Sequence, residues 1–234
     1  GNVKTPLVLL HGFMENTTIW NEMEAHLSKD FTLIKIDLPG HGKSKVYQEI
    51  HTVELMAEKV KEVIDALKLE KINLLGHSLG GYVSLAFAEK FPEILESMTL
   101  FFSTTVADDE EKKAIRRRSI AVIDENFETF VKTSIPNLFS NNEKDILEGK
   151  IELAKNIAKS TDKEGVKAAQ LGMAERPDRT EILENLDAKI LIIAGKYDNA
   201  VKTENLLKII PEKTNIKTYV LDCGHNGHWE KPTI

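Results

Sequence analysis

Short, fully apolar runs alternate along this chain with longer stretches of helical period. Leu7-Val8-Leu9-Leu10 is the first such run, and a continuous apolar stretch of that length predicts a strand buried on both faces, feeding the loop His11-Gly12-Phe13-Met14. Ile19, Trp20, Met23 and Leu27 then recur at helical spacing, with Thr17 or Thr18 placed to cap the helix. Phe31 to Ile36 reads as a second strand, closed by the glycine- and proline-rich turn Asp37-Leu38-Pro39-Gly40-His41-Gly42-Lys43-Ser44. A helix is expected from about Thr52 to Leu67, where Leu55, Val60, Val63, Ile64 and Leu67 fall on one face. Ile72-Asn73-Leu74-Leu75 makes a third strand, and Gly81 to Ala88 a helix that stops at Phe91-Pro92. Ser97 to Phe102 is the fourth strand.

The period then changes. From about Asp108 to Glu175 the pattern is charged and helical, through Ile115 to Ile123, Phe127 to Val131 and Ile146 to Ile157, with no strand among them. Lys189 to Ala194 and Lys217 to Leu221 resume the strand pattern. Strand and helix alternate on both sides of the insertion, so the expected fold class is α/β: a doubly wound, mainly parallel sheet with flanking helices and an inserted helical cap over the sheet's C-terminal edge. The corresponding division is 1–105 for the first part of the core, 106–180 for the cap and 181–234 for the second part of the core.

Composition narrows the picture. A chain of 234 residues, 41 % hydrophobic and 29 % charged, suits one domain with a sizeable core. The net charge of −6 supplies no basic field for nucleic acid or an anionic membrane, and Arg116-Arg117-Arg118 is a short cluster read first as a solvated helix face, with binding of a substrate carboxylate as the alternative. The expected partner is a small molecule, with the chain a monomer or homodimer. A lone cysteine, Cys223, rules out an internal disulfide and suits a reducing compartment, so a cytoplasmic location is expected. No apolar run approaches the roughly 20 residues of a membrane span. Gly1 in place of methionine, and a closing stretch Glu230-Lys231-Pro232-Thr233-Ile234 that opens like a helix, read as trimmed ends, which leaves room for a removed signal peptide.

The chemistry gathers at Gly76-His77-Ser78-Leu79-Gly80. The pattern G-x-S-x-G between a strand and a helix places a serine on a strained turn, clear of the sheet, where larger residues at 76 and 80 would meet neighbouring backbone. The helix points its N-terminus at the serine, so the Leu79 amide is free to donate to an oxyanion. Asp198 and His225 each follow a strand's C-terminal end, as Ser78 does, and all three are expected on one edge of the sheet. A serine hydroxyl becomes nucleophilic when an imidazole takes its proton and a carboxylate orients that imidazole. Phe13, in the loop after the first strand, is placed to give the second oxyanion amide.

These motifs together resemble the α/β-hydrolase fold family over nearly the whole chain. His11-Gly12-Phe13 is similar to its oxyanion loop, Asp37 to Ser44 to a recurrent second loop, Gly76 to Gly80 to the nucleophile elbow, and Gly195-Lys196-Tyr197-Asp198 and Cys223-Gly224-His225 to the acid and base loops. Gly172 to Arg179 resembles the return from cap to core in small esterases and enol-lactonases of that family. The family usually has one or two strands before the position of Leu7 and a closing helix after Pro232, which this sequence does not carry. The resemblance implies a cofactor-free serine hydrolase acting on a small or medium ester, thioester or lactone. Carbon-carbon hydrolysis, a lyase, acyl transfer, or a ligand receptor that retains the triad are the alternatives it leaves open.

Other readings compete for single residues. Asp198 could close a turn, His228 competes with His225 as the base, and Cys223, His225 and His228 together lack the fourth ligand of a zinc site. Cys223 reads as a small buried residue, since the elbow already supplies a nucleophile. Met14, Trp20, His77, Tyr82 and Met173 are candidates for the substrate pocket, and Met14, Trp20, Tyr82 and Met173 could as easily belong to the core. Gly76 to Gly81 lacks the lysine of a phosphate-binding loop, and no G-x-G-x-x-G follows the first strand.

Overall fold

The computed structural model of the protein describes residues 4–233. Six strands form one parallel sheet in the order β2-β1-β3-β4-β5-β6: β1 (Thr5–Leu10), β2 (Phe31–Ile36), β3 (Ile72–His77), β4 (Leu95–Phe101), β5 (Lys189–Gly195) and β6 (Ile216–Leu221). Chain order reverses at β1, so crossovers to its two sides cover opposite faces. The alternation of side chains along a strand divides the core accordingly. Val8, Leu10 and Leu74 face one hydrophobic cluster, while Leu7, Leu9 and Leu75 face the other.

The first cluster is covered by α2 (Val53–Ala66) and α3 (Leu79–Lys90). Thr52 caps α2 through its side chain, which accepts the Leu55 amide at 3.1 Å. Helix α3 is buried from Leu79 through Ala88, which its near-continuous small and apolar sequence permits. The opposite cluster takes Ile19 and Trp20, from a 3-10 turn over Thr17–Trp20 that leads into α1 (Asn21–Leu27). Here the cap is one residue earlier than the Thr17 or Thr18 expected: the Asn16 carboxamide accepts the Thr18 amide. Asparagine is at least as good a cap as threonine, and the 3-10 turn shifts the register.

Between β4 and β5 the chain is all helical: α4 (Glu110–Ser134), α5 (Glu148–Ser160), α6 (Lys163–Glu175) and the short α7 (Glu181–Asn185). Two sequence segments, Ile115–Ile123 and Phe127–Val131, merge into α4, which breaks at Asn126 (φ −156°) where the carboxamide caps Thr129 N at 2.9 Å. Helix α6 lies against the loop that follows β2. Gly165 faces Gly40 backbone to backbone, with no room for a Cβ, and His51 N donates to Ala168 O at 3.0 Å. The two ends of the insertion also meet, since Arg179 N donates to Thr105 O at 2.9 Å and the Thr105 and Thr180 hydroxyls are hydrogen-bonded at 2.9 Å.

After β5 come α8 (Thr203–Lys208), β6 and α9 (Gly227–Glu230). The helix opening expected across 230–234 is reduced to the end of α9, and its last residue, Ile234, lies outside the described residues, as does Gly1. Among the described residues no helix is long and apolar enough to cross a membrane.

Candidate active site

Ser78 sits where β3 turns into α3, with φ 50° and ψ −110°, a conformation disfavoured for any residue with a side chain. The turn is held from both sides. A Cβ on Gly76 would strike the Gly80 carbonyl and one on Gly80 the Leu10 carbonyl, while Ser78 N donates to Phe101 O at 3.0 Å. Met14 (φ 57°) and Phe102 (φ 50°), in loops at the same sheet edge, share the left-handed region.

The loops after β5 and β6 bring two further groups to Ser78. His225 Nε2 is 2.8 Å from Ser78 Oγ, and His225 Nδ1 is 2.7 Å from Asp198 Oδ2. The other Asp198 oxygen accepts the amides of Ala200 at 2.7 Å and Val201 at 2.8 Å. Asp198 therefore closes a turn with Oδ1 and holds the imidazole with Oδ2. Glu230 anchors the loop that carries His225, its Oε2 accepting Gly224 N at 3.0 Å and Ser140 N at 3.1 Å. Among the described residues, neither the Phe13 nor the Leu79 amide donates to another protein group.

A cavity of about 320 Å³ opens over Ser78 and His225, and Phe13, His77, Tyr82 and Met173 also line it. Met14 and Trp20, the other two pocket candidates, lie elsewhere: both are buried in the core, with Trp20 6.2 Å from the rings of Phe101 and His228. The 3-10 turn directs Trp20 under the sheet edge, where its area is more favourably buried than in an open pocket. Helical residues from the insertion complete the wall, among them Lys112, Ile115, Arg116 and Gln170.

Arg116 overturns the reading of 116–118 as a solvated face. Arg117 and Arg118 are exposed, but Arg116 is ion-paired with Asp108 and donates to Gln170 Oε1 at 2.9 Å. Asp108, whose side chain is fully buried, also pairs with Arg176 at 2.9 Å. Burial raises the Asp108 carboxyl, yet the two guanidiniums outweigh it and hold it below the usual carboxylate range. The Arg176 guanidinium in turn lies 3.9 Å over the Tyr82 ring. Sequence reasoning missed this network because a single aspartate before a helix carries no signal that it pairs with an arginine two turns into that helix and another 68 residues away.

Behind the serine a second buried group forms. His77 Nδ1 is 2.8 Å from Glu15 Oε2 and its Nε2 is 3.0 Å from the His225 carbonyl. His228 stacks edge-on to His77 at 4.6 Å and stands 3.6 Å from Glu15 Oε1. Burial holds the His228 imidazole neutral, its pKa lowered to about 3. Donor atoms of Glu15, His77 and His228 lie within 4.8 Å of one another. They do not suit a metal: two donors on a tetrahedral zinc stand about 3.3 Å apart, wider than the 2.8 Å between His77 and Glu15, and both His77 nitrogens already face acceptors. Cys223 is fully buried, and burial pushes its thiol up to about 12, which leaves it inert.

A family model for the alpha/beta hydrolase fold matches residues 5–232. The chain belongs to the α/β-hydrolase family. A thermophilic esterase from Thermogutta terrifontis, solved with malate bound, is 33 % identical and superposes with a TM-score of 0.91 over 98 % of this chain and 86 % of that one. A putative 2-succinyl-6-hydroxy-2,4-cyclohexadiene-1-carboxylate synthase of Bacillus subtilis is 28 % identical, covering 100 % of this α/β-hydrolase chain and 88 % of its own. Uncharacterised proteins of Mycobacterium tuberculosis and Mycobacterium bovis are 35 % identical over 103 residues, a match spanning 44 % of this chain and 30 % of theirs. In this family setting the edge at which Ser78, Asp198 and His225 meet is the candidate active site.

Proposed function

We propose that this α/β-hydrolase is a serine hydrolase that cleaves a small or medium carboxylic ester, thioester or lactone through an acyl-enzyme. The observation that carries the reading is the unbroken row Ser78 Oγ, His225 Nε2, His225 Nδ1 and Asp198 Oδ2, at 2.8 Å and 2.7 Å. Ser78 attacks the substrate carbonyl as His225 takes its proton. The tetrahedral oxyanion is received by the Phe13 and Leu79 amides, which among the described residues have no protein acceptor to give up. His225 then passes the proton to the leaving alcohol or thiol, and the same steps run with water release the acid and restore Ser78. Asp198 holds the tautomer and balances the imidazolium.

The helices of 106–180 act in this reading as a cap. They supply Ile115, Arg116, Gln170 and Met173 to the cavity wall, so the acyl group or leaving group meets side chains from outside the sheet. The volume of about 320 Å³ suits a small or medium acyl chain. Arg116 and Lys112 in that wall favour a second reading, carbon-carbon hydrolysis or a lyase reaction on a substrate that carries its own carboxylate, the group named in the Bacillus relative's product.

A fluorophosphonate probe and a panel of p-nitrophenyl esters of graded chain length test the proposal. Ser78→Ala should lose both labelling and turnover at unchanged melting temperature. Labelling that survives this change removes Ser78 from the mechanism, and a protein that labels but turns over none of the panel favours the second reading.

A further inference from the structure

His77 precedes the elbow serine, and it joins loops 62 and 148 residues away in sequence. Its Nδ1 faces a Glu15 carboxylate oxygen at 2.8 Å and its Nε2 faces the His225 main-chain carbonyl at 3.0 Å. The carbonyl can only accept, and Glu15 Oε2, which also takes the Gly12 amide at 2.6 Å and belongs to a carboxyl brought down to about 2, accepts as a carboxylate. A neutral imidazole has one N–H, which would leave a ring lone pair against an oxygen lone pair on one side. His77 therefore carries both protons and is an imidazolium. Its counter-charge is Glu15, which also accepts the Gly12 amide at 2.6 Å. The pair is buried, with side-chain exposures of 1 % and 9 %.

We propose that the Glu15–His77 ion pair is a positioning element of the hydrolytic site, an obligatory imidazolium that ties the oxyanion loop at Gly12 to the loop that carries His225. The chain of bonds runs Gly12 N–H, Glu15 carboxylate, His77 imidazolium, His225 carbonyl, and the His77 backbone leads directly into Ser78. One buried pair thus fixes the relative placement of nucleophile, base and oxyanion amide, which in the proposed function come from three different strands. Gly12 is glycine for the same reason, since a Cβ there would lie 2.7 Å from both Glu15 Oε2 and His77 Nδ1.

The charges around the pair are consistent with this state. Burial opposes the His77 charge, but Glu15 overrides it and the His225 carbonyl and the Asp198 charge assist, so its pKa is raised. Burial likewise opposes ionisation of Glu15, and the neighbouring histidines bring its carboxyl down to about 2. His228 is neutral and His11, behind the same loop, is lowered by burial. Among the described residues the remaining titratable ring against His77, that of His225, lies 5.1 Å away. A histidine whose charged form is the competent one loses function as pH rises through its raised pKa. The proposal therefore places an alkaline limb in the activity profile that depends on Glu15.

Two measurements test it, and the kinetic one rests on the serine-hydrolase reading. Long-range proton–nitrogen NMR of the parent protein at neutral pH should show His77 with both ring nitrogens protonated. A singly protonated His77 overturns the inference whatever the activity. In steady-state kinetics, Glu15→Gln should lower kcat roughly 10- to 100-fold with KM little changed, because a misplacement near 1 Å costs about that much. Its alkaline limb should move to lower pH, since the imidazolium has lost its counter-ion, and in His77→Gln that limb should vanish. A Glu15→Gln protein that keeps kcat and the parent's pH profile overturns the inference while the hydrolase reading, judged on Ser78→Ala, stands.

Discussion

Asp198 divides its carboxylate between two tasks, with Oδ2 2.7 Å from His225 Nδ1 and Oδ1 accepting the Ala200 and Val201 amides at 2.7 and 2.8 Å. The turn and the imidazole are thereby set by one rigid group. Asp198→Asn should keep the turn through its carbonyl oxygen but present an NH₂ to His225, favouring the wrong tautomer. Turnover of an activated ester is expected to fall roughly 10⁴-fold, with a thermal midpoint within a few degrees of the parent. An asparagine variant with near-parental kcat would remove the acid from the mechanism.

His225 and His228 lie three positions apart and have different surroundings. His225 reaches Ser78 at 2.8 Å, whereas His228 is fully buried with neither ring nitrogen hydrogen-bonded. His225→Ala should cost several orders of magnitude in kcat/KM, and His228→Ala tenfold at most, through packing against His77. Measuring both variants on one ester decides between them, and the reverse ranking moves the base to His228.

Asp108 holds Arg116 and Arg176 at the junction of the helical insertion. Asp108→Asn leaves two guanidiniums sharing a neutral acceptor in a buried site, which should cost about 3–5 kcal/mol of stability. Urea melts read this directly. Because Arg116 lines the cavity and Arg176 packs on Tyr82, KM is expected to rise as well.

Acid stability follows from buried neutral histidines. Burial lowers His41 and His228 to about 3, so the unfolded chain, with histidines near 6.5, binds protons that the folded chain refuses. The contribution is fully present above about pH 6.5 and is lost as pH falls toward 3, at about 1.4 kcal/mol per pH unit for each group. His41→Phe or His228→Phe should reduce the slope of stability against pH in that window. A slope unchanged in both variants would show that these rings are protonated in the folded state.

The order of strands and helices was legible because the strands are short segments rich in apolar and β-branched residues, and the faces of β1 follow from alternation alone: Leu7 and Leu9 to one side, Val8 and Leu10 to the other. Ser78, Asp198 and His225 could be placed on one edge for the same reason, since each follows a strand and parallel strands end together. The elbow glycines were readable too, because close backbone approach excludes a side chain at Gly76 and Gly80. Side-chain pairing was not. Nothing in a string of residues says that Glu15 meets His77, or that Arg116 turns in to Asp108 while Arg117 and Arg118 stay in solvent. Trp20 and Met14 suit a pocket or a core equally by residue type, and only the packing of the 3-10 turn, for Trp20, and of the loop after β1, for Met14, sends them to the core. Periodic burial is a local property that the sequence repeats every few residues, whereas the pairing of buried charges depends on distances that exist only after the loops have closed.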